Sequence, residues 1–175
     1  EALDEIFDRS VTSLTTSMQK MFARLAKRFE VSPRLRSVFF VNNYNKMIPL
    51  FRQRVPLSSV LRDFETKCEL NVDEFVSLEL LEYFEDLVEF VKESQIKVES
   101  CEPFSPSSEK IFRVLKTFSN SWKSAVRSMD TDIIKFFSNY KRGVEILQKV
   151  LTKMLLYYTR FLEVAEKIFP RLRNR

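Results

Sequence analysis

The sequence predicts an all-α fold, an elongated antiparallel bundle of five or six helices. Its 175 residues include one glycine, whereas strands joined by tight turns need many residues that accept positive φ. Apolar residues recur at alternating steps of three and four, the period of one helix face. Hydrophobic residues make up 45% of the chain and 17 residues are phenylalanine, so we expect a core rich in aromatic rings. We expect residues 1–175 to form one helical rod domain and, since residue 1 is not methionine, to be a fragment of a longer chain.

Apolar spacing and a capping sequence mark the first two helices. The first covers about residues 3–30 in a near-heptad pattern that we expect to continue upstream as a coiled coil, with apolar positions Leu3, Phe7, Val11, Leu14, Met18, Met21, Leu25 and Phe29. Ser32 followed by Pro33 predicts an N-cap and the first position of a second helix over about residues 33–54.

The third helical segment runs from Ser59 to about Ser100. A straight helix of that length would span about 60 Å at 1.5 Å per residue, which is long for a compact domain. We therefore expect a break near Asn71 or near Tyr83, and the pattern does not choose between them. Residues 102–108, EPFSPSS, are typical of a linker.

The last third of the chain carries helical apolar spacing from Ile111 to Ile168 with almost no interruption. Two sequences compete to divide it. Residues 130–132, Asp-Thr-Asp, would cap a new helix, whereas residues 141–143, Lys-Arg-Gly, combine two cations with a glycine suited to a helix end. We favour the break at Gly143, and Phe169-Pro170 ends the last helix.

The residue types exclude most catalytic chemistry. The chain has no histidine, which removes the usual general base near neutral pH and the commonest zinc ligand. One glycine rules out the glycine-rich loops that cradle phosphates. The acidic positions Glu82, Glu85, Asp86 and Glu89 fit a solvated helix face better than a di-metal site, because that site needs histidine. We predict no enzyme activity, no catalytic residue, no metal and no cofactor.

Charge is distributed unevenly along the chain. Residues 61–102 carry four basic and thirteen acidic side chains, and residues 110–175 carry fifteen basic and five acidic ones. The simplest interpretation is that these regions neutralise each other in one folded body. The cations after residue 110 point to many angles around a helix, which disfavours nucleic acid binding. Peripheral contact with anionic membrane through these cations stays open as an alternative function.

The stretch FFVNNYNK at residues 39–46 places asparagines within an apolar helix. Buried amides need hydrogen-bond partners, so we expect Asn42 and Asn43 to bond to a neighbouring helix or its end and fix how two helices dock. A ligand site built from these amides is the alternative. We interpret the lone tryptophan, Trp122, as an anchor in the core, and a binding residue is the alternative. Cys68 and Cys101 match neither a disulfide framework nor a zinc pattern and are expected to be reduced thiols.

Two stretches carry a family resemblance. FFVNNYNKMI, from residue 39, resembles a helix motif of the subunits of multisubunit tethering complexes, helical-rod proteins that capture transport vesicles. Residues 119–161 are similar to the C-terminal region of a subunit shared by the Golgi-associated retrograde protein complex and its endosomal sister complex. Asn45 departs from this pattern, which usually has aspartate there. The motif residues, interpreted as structural, are Phe39, Phe40, Asn42, Asn43, Tyr44, Trp122, Lys123, Ser124, Tyr140 and Gly143.

The resemblance implies a non-catalytic tether subunit in endosome-to-trans-Golgi retrograde transport, on the cytosolic face of the trans-Golgi network and endosomes. Its implied partners are other subunits of the tethering complex, small GTPases of the Rab class and SNARE proteins, with no nucleic acid. The alternative within the same family is a structural rod that only scaffolds its complex. The sequence alone does not identify which surface meets which partner.

Overall fold

The computed structural model describes residues 2–55, 58–100 and 106–168, without the side chains at positions 2–4, 8 and 98. Within these residues there is no strand, which confirms the all-α prediction. The helices are α1 (Ala2–Ala26), a short 3-10 helix (Lys27–Phe29), α2 (Pro33–Arg54), α3 (Ser59–Glu99), α4 (Ser108–Phe136) and α5 (Tyr140–Ile168). The Leu3 side chain, Cys101, Phe169-Pro170 and most of the linker 102–108 lie outside the described part of the chain.

The chain divides into two compact units, and the prediction of one domain over residues 1–175 stays a prediction. The first unit contains residues 1–75 and 137–139. It includes α1, α2 and the first part of α3. Its α2 begins as predicted, since the Leu35 amide donates to the Ser32 hydroxyl at 3.4 Å and Pro33 is the first helical residue. Its core combines aromatic and β-branched residues that are at most 4% exposed: Phe22, Val41, Tyr44, Phe64, Val72 and Phe75.

The second unit contains residues 76–136 and 140–175. Within it, α4 and α5 form an antiparallel pair. Phe118, in the first half of α4, stacks on Tyr158, in the second half of α5, with ring centroids 4.4 Å apart. The buried stripes of both helices recur at steps of three, four and seven, as the apolar spacing predicts, and include Ile111, Val114, Met129, Ile146, Val150 and Phe161.

The break in α3 lies at Phe84, whose φ of −138° and ψ of 45° leave the helical region. The expected break near Tyr83 is therefore confirmed to within one residue, and the alternative at Asn71 is wrong. Helix continues through Asn71, whose side-chain amide donates to the Lys67 carbonyl one turn earlier at 2.7 Å. The ring of Phe84 is 4% exposed and lies 5.2 Å from that of Phe118 in α4.

The break between α4 and α5 falls at residues 137–139, so both predicted positions for it are wrong. The polar residues at 131 and 132 bond elsewhere and do not cap a helix. The Thr131 hydroxyl donates to the Arg127 carbonyl at 2.9 Å, and Asp132 accepts from the Tyr83 hydroxyl at 2.9 Å. Gly143 lies within the first turn of α5 on its buried face. Phe137, 4% exposed, packs edge to face on Phe75 at 5.0 Å, and both residues belong to the first unit.

Candidate interaction surfaces

The FFVNNYNK stretch lies in the middle of α2, and its rings pack against α1 and α3. Tyr44 meets the ring of Phe22 from α1 at 5.9 Å and that of Phe64 from α3 at 5.4 Å, both edge to face. Phe39 lies 6.2 Å from Phe22, and Phe40 stacks on Tyr44 at 6.0 Å. Such ring pairs add about 0.5–1.5 kcal/mol each beyond the area they bury. This part of the motif packs the first unit together.

Tyr44 is uncharged near neutral pH. Burial raises the pKa of its hydroxyl above the ordinary value of 10.0, and the charges of Asp63 and Cys68 raise it further. The pKa of Asp63 moves the other way. Burial alone would raise it, but hydrogen bonds from Lys67 at 2.7 Å and Gln19 at 2.6 Å outweigh burial and lower it below 3.8. This polar group joins α1 to α3 beside the aromatic cluster.

The two adjacent asparagines of the motif have different partners. The side-chain oxygen of Asn42 accepts from the backbone amide of Ser138 at 3.2 Å and from its hydroxyl at 3.4 Å. Asn42 thus contacts the turn that precedes α5, the type of contact that the docking interpretation requires. Asn43 departs from that interpretation, because its side chain donates to the Phe39 carbonyl of its own helix at 2.7 Å.

Asn45, where the tether-subunit pattern usually has aspartate, faces a buried thiol. Its side-chain oxygen lies 3.7 Å from the Cys68 sulfur, which donates to it. Its side-chain nitrogen is buried without a hydrogen-bond partner among the described residues. The uncharged amide accepts the thiol hydrogen without placing a charge beside the buried Cys68 side chain.

The second motif block lies on α4 and is more exposed than expected. Trp122 is 39% exposed, so its interpretation as a core anchor is wrong. The core-facing stripe of α4 passes through Phe118 and Ala125, and Trp122 lies at its margin. The Lys123 ammonium is 5.5 Å from the Trp122 ring centroid, and the Ser124 hydroxyl donates to the Ser121 carbonyl at 2.8 Å.

The remaining motif residues, Tyr140 and Gly143, lie at the start of α5. Tyr140 is 78% exposed, and Gly143 is buried one turn later. The structure therefore places the motif residues in three separate places: the centre of α2, the middle of α4 and the first turn of α5. Asn42 contacts Ser138, in the turn between α4 and α5.

The first helix leaves an apolar seam uncovered. Its buried positions are Thr15, Phe22 and Ala26, whereas Val11 and Met18 are half-buried. Between 39% and 61% of the side-chain surface is exposed at the members of the uncovered stripe, which we name the α1 seam: Ile6, Phe7, Leu14, Met21 and Leu25. Phe7, Leu14 and Met21 recur at steps of seven, as in a coiled-coil seam. A contiguous exposed apolar stripe of this kind is typical of an interaction surface.

Described residues of the second unit line cavities at two places. One of about 490 Å³ is lined by the ends of α3 and α5, with Glu99 and Glu163 beside Arg160 and Lys167. The other, about 260 Å³, lies at the Phe84 break and is lined by Glu82, Glu85, Asp86, Val114 and Phe118. Within the described parts of the chain, no three histidine, cysteine or acidic residues are grouped to hold a metal ion. None of the helices described there is long and apolar enough to cross a bilayer.

Sequence reasoning missed one surface, the outward face of α4. Lys116, Lys123 and Arg127 are exposed and follow one another at steps of seven and four. These steps place the three side chains within about 40° of each other around the helix. The sequence prediction considered the cations of α4 and α5 together, and together they point to many angles around a helix. The face shared by Lys116, Lys123 and Arg127 is recognised only when α4 is considered alone.

Comparison with known proteins identifies the family. No family model matches the chain, and no solved structure matches it. Vacuolar protein sorting-associated protein 52 A of Arabidopsis thaliana is 34% identical to it over 150 residues, or 85% of this chain. The chain belongs to the vacuolar protein sorting-associated protein 52 family. The human homolog of protein 52 is 29% identical over 141 residues, and the Caenorhabditis elegans homolog is 25% identical over 156 residues.

The protein 52 match covers most of this chain and a small part of each relative. It covers 79% of the chain for the human homolog and 86% for the worm homolog. The chain spans about a fifth of the length of these relatives, 21% of the Arabidopsis protein and 19% of the human one. Membership of the protein 52 family agrees with the tether-subunit resemblance of the two motif stretches.

Proposed function

We propose that this chain is a non-catalytic domain of a vesicle-tethering subunit in endosome-to-trans-Golgi retrograde transport. It acts at the cytosolic face of the trans-Golgi network and of endosomes. The observation that carries the proposal is membership of the protein 52 family, whose members are named for vacuolar protein sorting. The residue composition supports a non-catalytic role, since the chain has no histidine to serve as a general base near neutral pH.

The α1 seam supports assembly with other subunits of the complex. Its exposed apolar residues lie at coiled-coil spacing, which suits an amphipathic helix of another subunit. Leu14→Glu places a charge at the centre of the seam and weakens co-purification with other tether subunits. Leu70→Glu is the matched control, because Leu70 is 63% exposed on α3 of the same unit. Equal co-purification by both variants would remove the seam from the proposal.

The same domain serves as a platform for small GTPases of the Rab class and for SNARE proteins. A pull-down with the purified 175-residue chain and a panel of Rab GTPases loaded with GTP or GDP tests this role. We expect at least one GTPase to bind in its GTP form only. Absence of nucleotide-dependent binding across the panel would replace the platform with the alternative, a structural rod that scaffolds its complex.

A further inference from the structure

The α4 helix contains a long basic stretch without acidic residues. Residues 110–129 carry five lysines and arginines and no aspartate or glutamate. Two of the five are used inside the second unit. Lys110 forms an ion pair with Glu93 of α3. The Arg113 guanidinium lies 3.8 Å from the carboxylate of Asp86, which is also in α3. These pairs account for part of the expected neutralisation of the acidic α3 by the basic end of the chain.

The other three cations, Lys116, Lys123 and Arg127, take no part in that neutralisation. They are exposed, and none forms an ion pair with any residue that the structure describes. Their common face of α4, which we name the outer α4 face, presents three uncompensated positive charges along about 16 Å of helix. On α4, the exposed acidic residues Glu109 and Asp130 lie at the two ends of this stretch, within the same arc of the helix as the three cations.

Large apolar side chains lie on the same face at both ends of the cationic group. Phe112, one turn before Lys116, is 54% exposed, and Ile134, seven residues after Arg127, is 62% exposed. All five side chains fall within about 60° around the helix axis. Trp122, 39% exposed, lies between this face and the buried stripe of α4, with its ring 5.5 Å from the Lys123 ammonium.

We infer that the outer α4 face binds the surface of an anionic lipid membrane. A surface-bound helix lies in the plane of the headgroups, with cations against lipid phosphates and apolar side chains at the acyl boundary. The face offers both chemistries on one continuous helix. A nucleic acid track would use the cations but leave Phe112 and Ile134 in water, and an acidic protein patch would not require apolar residues at both ends.

Three cations give only moderate membrane affinity, so the face acts as an auxiliary contact. Each lysine or arginine near an anionic surface improves partition by about fivefold, and three together by about 100-fold. Such a contact becomes effective when other parts of a tethering complex already hold the domain near the membrane. The inference concerns lipid contact by this chain alone and stands or falls independently of its tethering role.

The native tryptophan reports on α4 without labelling, because Trp122 is the only tryptophan of the chain and its ring lies 5.5 Å from the Lys123 ammonium. Fluorescence of the purified 175-residue chain is titrated with vesicles of phosphatidylcholine alone or mixed with phosphatidylserine. We expect a blue shift with the mixed vesicles only, and its loss as salt is raised. Absence of a shift with mixed vesicles at low salt would overturn the inference.

Charge reversal separates the outer α4 face from general positive charge. The triple variant Lys116→Glu, Lys123→Glu, Arg127→Glu should lose at least about 100-fold in vesicle partition by flotation. The control variant Lys20→Glu, Lys27→Glu, Arg62→Glu has the same net charge, with three exposed cations of the first unit changed. Equal losses in both variants would overturn the inference. Helical content by circular dichroism must match in the two variants.

The apolar residues and competing ligands complete the test. Ile134→Gln should weaken vesicle partition several-fold, whereas the matched exposed change Leu155→Gln on α5 should not. Inorganic phosphate at millimolar concentration should not displace the vesicles. Displacement by phosphate, or tighter binding of a DNA oligonucleotide than of vesicles at equal salt, would assign the face to free phosphate or to nucleic acid and overturn the inference.

Discussion

Asn42 and Asn43 are neighbours in the chain whose side chains stabilise different contacts. Asn42→Ala removes the acceptor for the Ser138 amide and hydroxyl, which should cost about 1 kcal/mol. For a chain of this size that corresponds to a melting temperature about 2–4 °C lower. Asn43→Ala removes a bond within its own helix but introduces a better helix former, so we expect little change. Thermal unfolding of the two single variants measures both effects.

The reverse ranking, with Asn43→Ala the more destabilising, would contradict the docking role of Asn42. Unchanged stability in both variants together with lost partner binding would instead favour a ligand site at these amides. The pull-down with Rab GTPases measures partner binding and so distinguishes these two outcomes.

Tyr44 gives the protein a dependence on alkaline pH with a definite sign. Its pKa is raised in the folded state, so above about pH 10 the unfolded chain loses a proton that the folded chain retains. Stability contributed by the protonated hydroxyl is complete below pH 10 and falls as pH rises, by at most about 1.4 kcal/mol per pH unit. Denaturant unfolding of the wild type and of Tyr44→Phe between pH 9 and about pH 11 measures it. Parallel pH curves for the two proteins would show that Tyr44 titrates normally.

At the scale of helices, one hydrogen bond joins α3, next to its break at Phe84, to α4. The Tyr83 hydroxyl, next to the break, donates to Asp132 within α4 at 2.9 Å. A double-mutant cycle with Tyr83→Phe and Asp132→Asn should give a coupling free energy of about 1 kcal/mol or more, because the acceptor is charged. Urea unfolding of the four proteins provides it. Strict additivity would mean that the bond contributes nothing to stability.

Local signals predicted the all-α fold and the N-cap of α2 correctly. Ser32-Pro33 and the apolar spacing define α2, and the excessive length of α3 required a break that the structure places beside Tyr83. These features depend on neighbouring residues, which is why the sequence contains them. The family motif was likewise readable as a helix, and its aromatic residues pack as the apolar pattern predicts.

The turn between α4 and α5 was not predictable from local signals. Its position depends on Phe137 packing against Phe75 and on Ser138 bonding to Asn42, contacts between residues far apart in the chain. Asp130 and Gly143 carried stronger local signals for a helix boundary, and tertiary contacts overrode them. The exposure of Trp122 and of the α1 seam was hidden for a related reason, since apolar spacing does not tell a core stripe from a surface stripe.

For the molecule as a whole, the two compact units predict two regions of distinct local stability. Phe64, 0% exposed, belongs to the first unit and Phe161, 1% exposed, to the second. Replacing either by alanine should cost about 3–5 kcal/mol. Hydrogen exchange should then accelerate more in the unit that carries the substitution. Equal acceleration in both units would show one cooperative body and support the single-domain prediction.

The return of residues 137–139 to the first unit has a consequence for synthesis on the ribosome. Phe75 is synthesised about 60 residues before its partner Phe137. At about 5–20 residues per second, the nascent first unit waits roughly 3–12 s for the ring that completes its core. During that interval the apolar surface around Phe75 is open to chaperones. Synonymous codons that slow translation between positions 75 and 137 would lengthen that exposure without changing any residue.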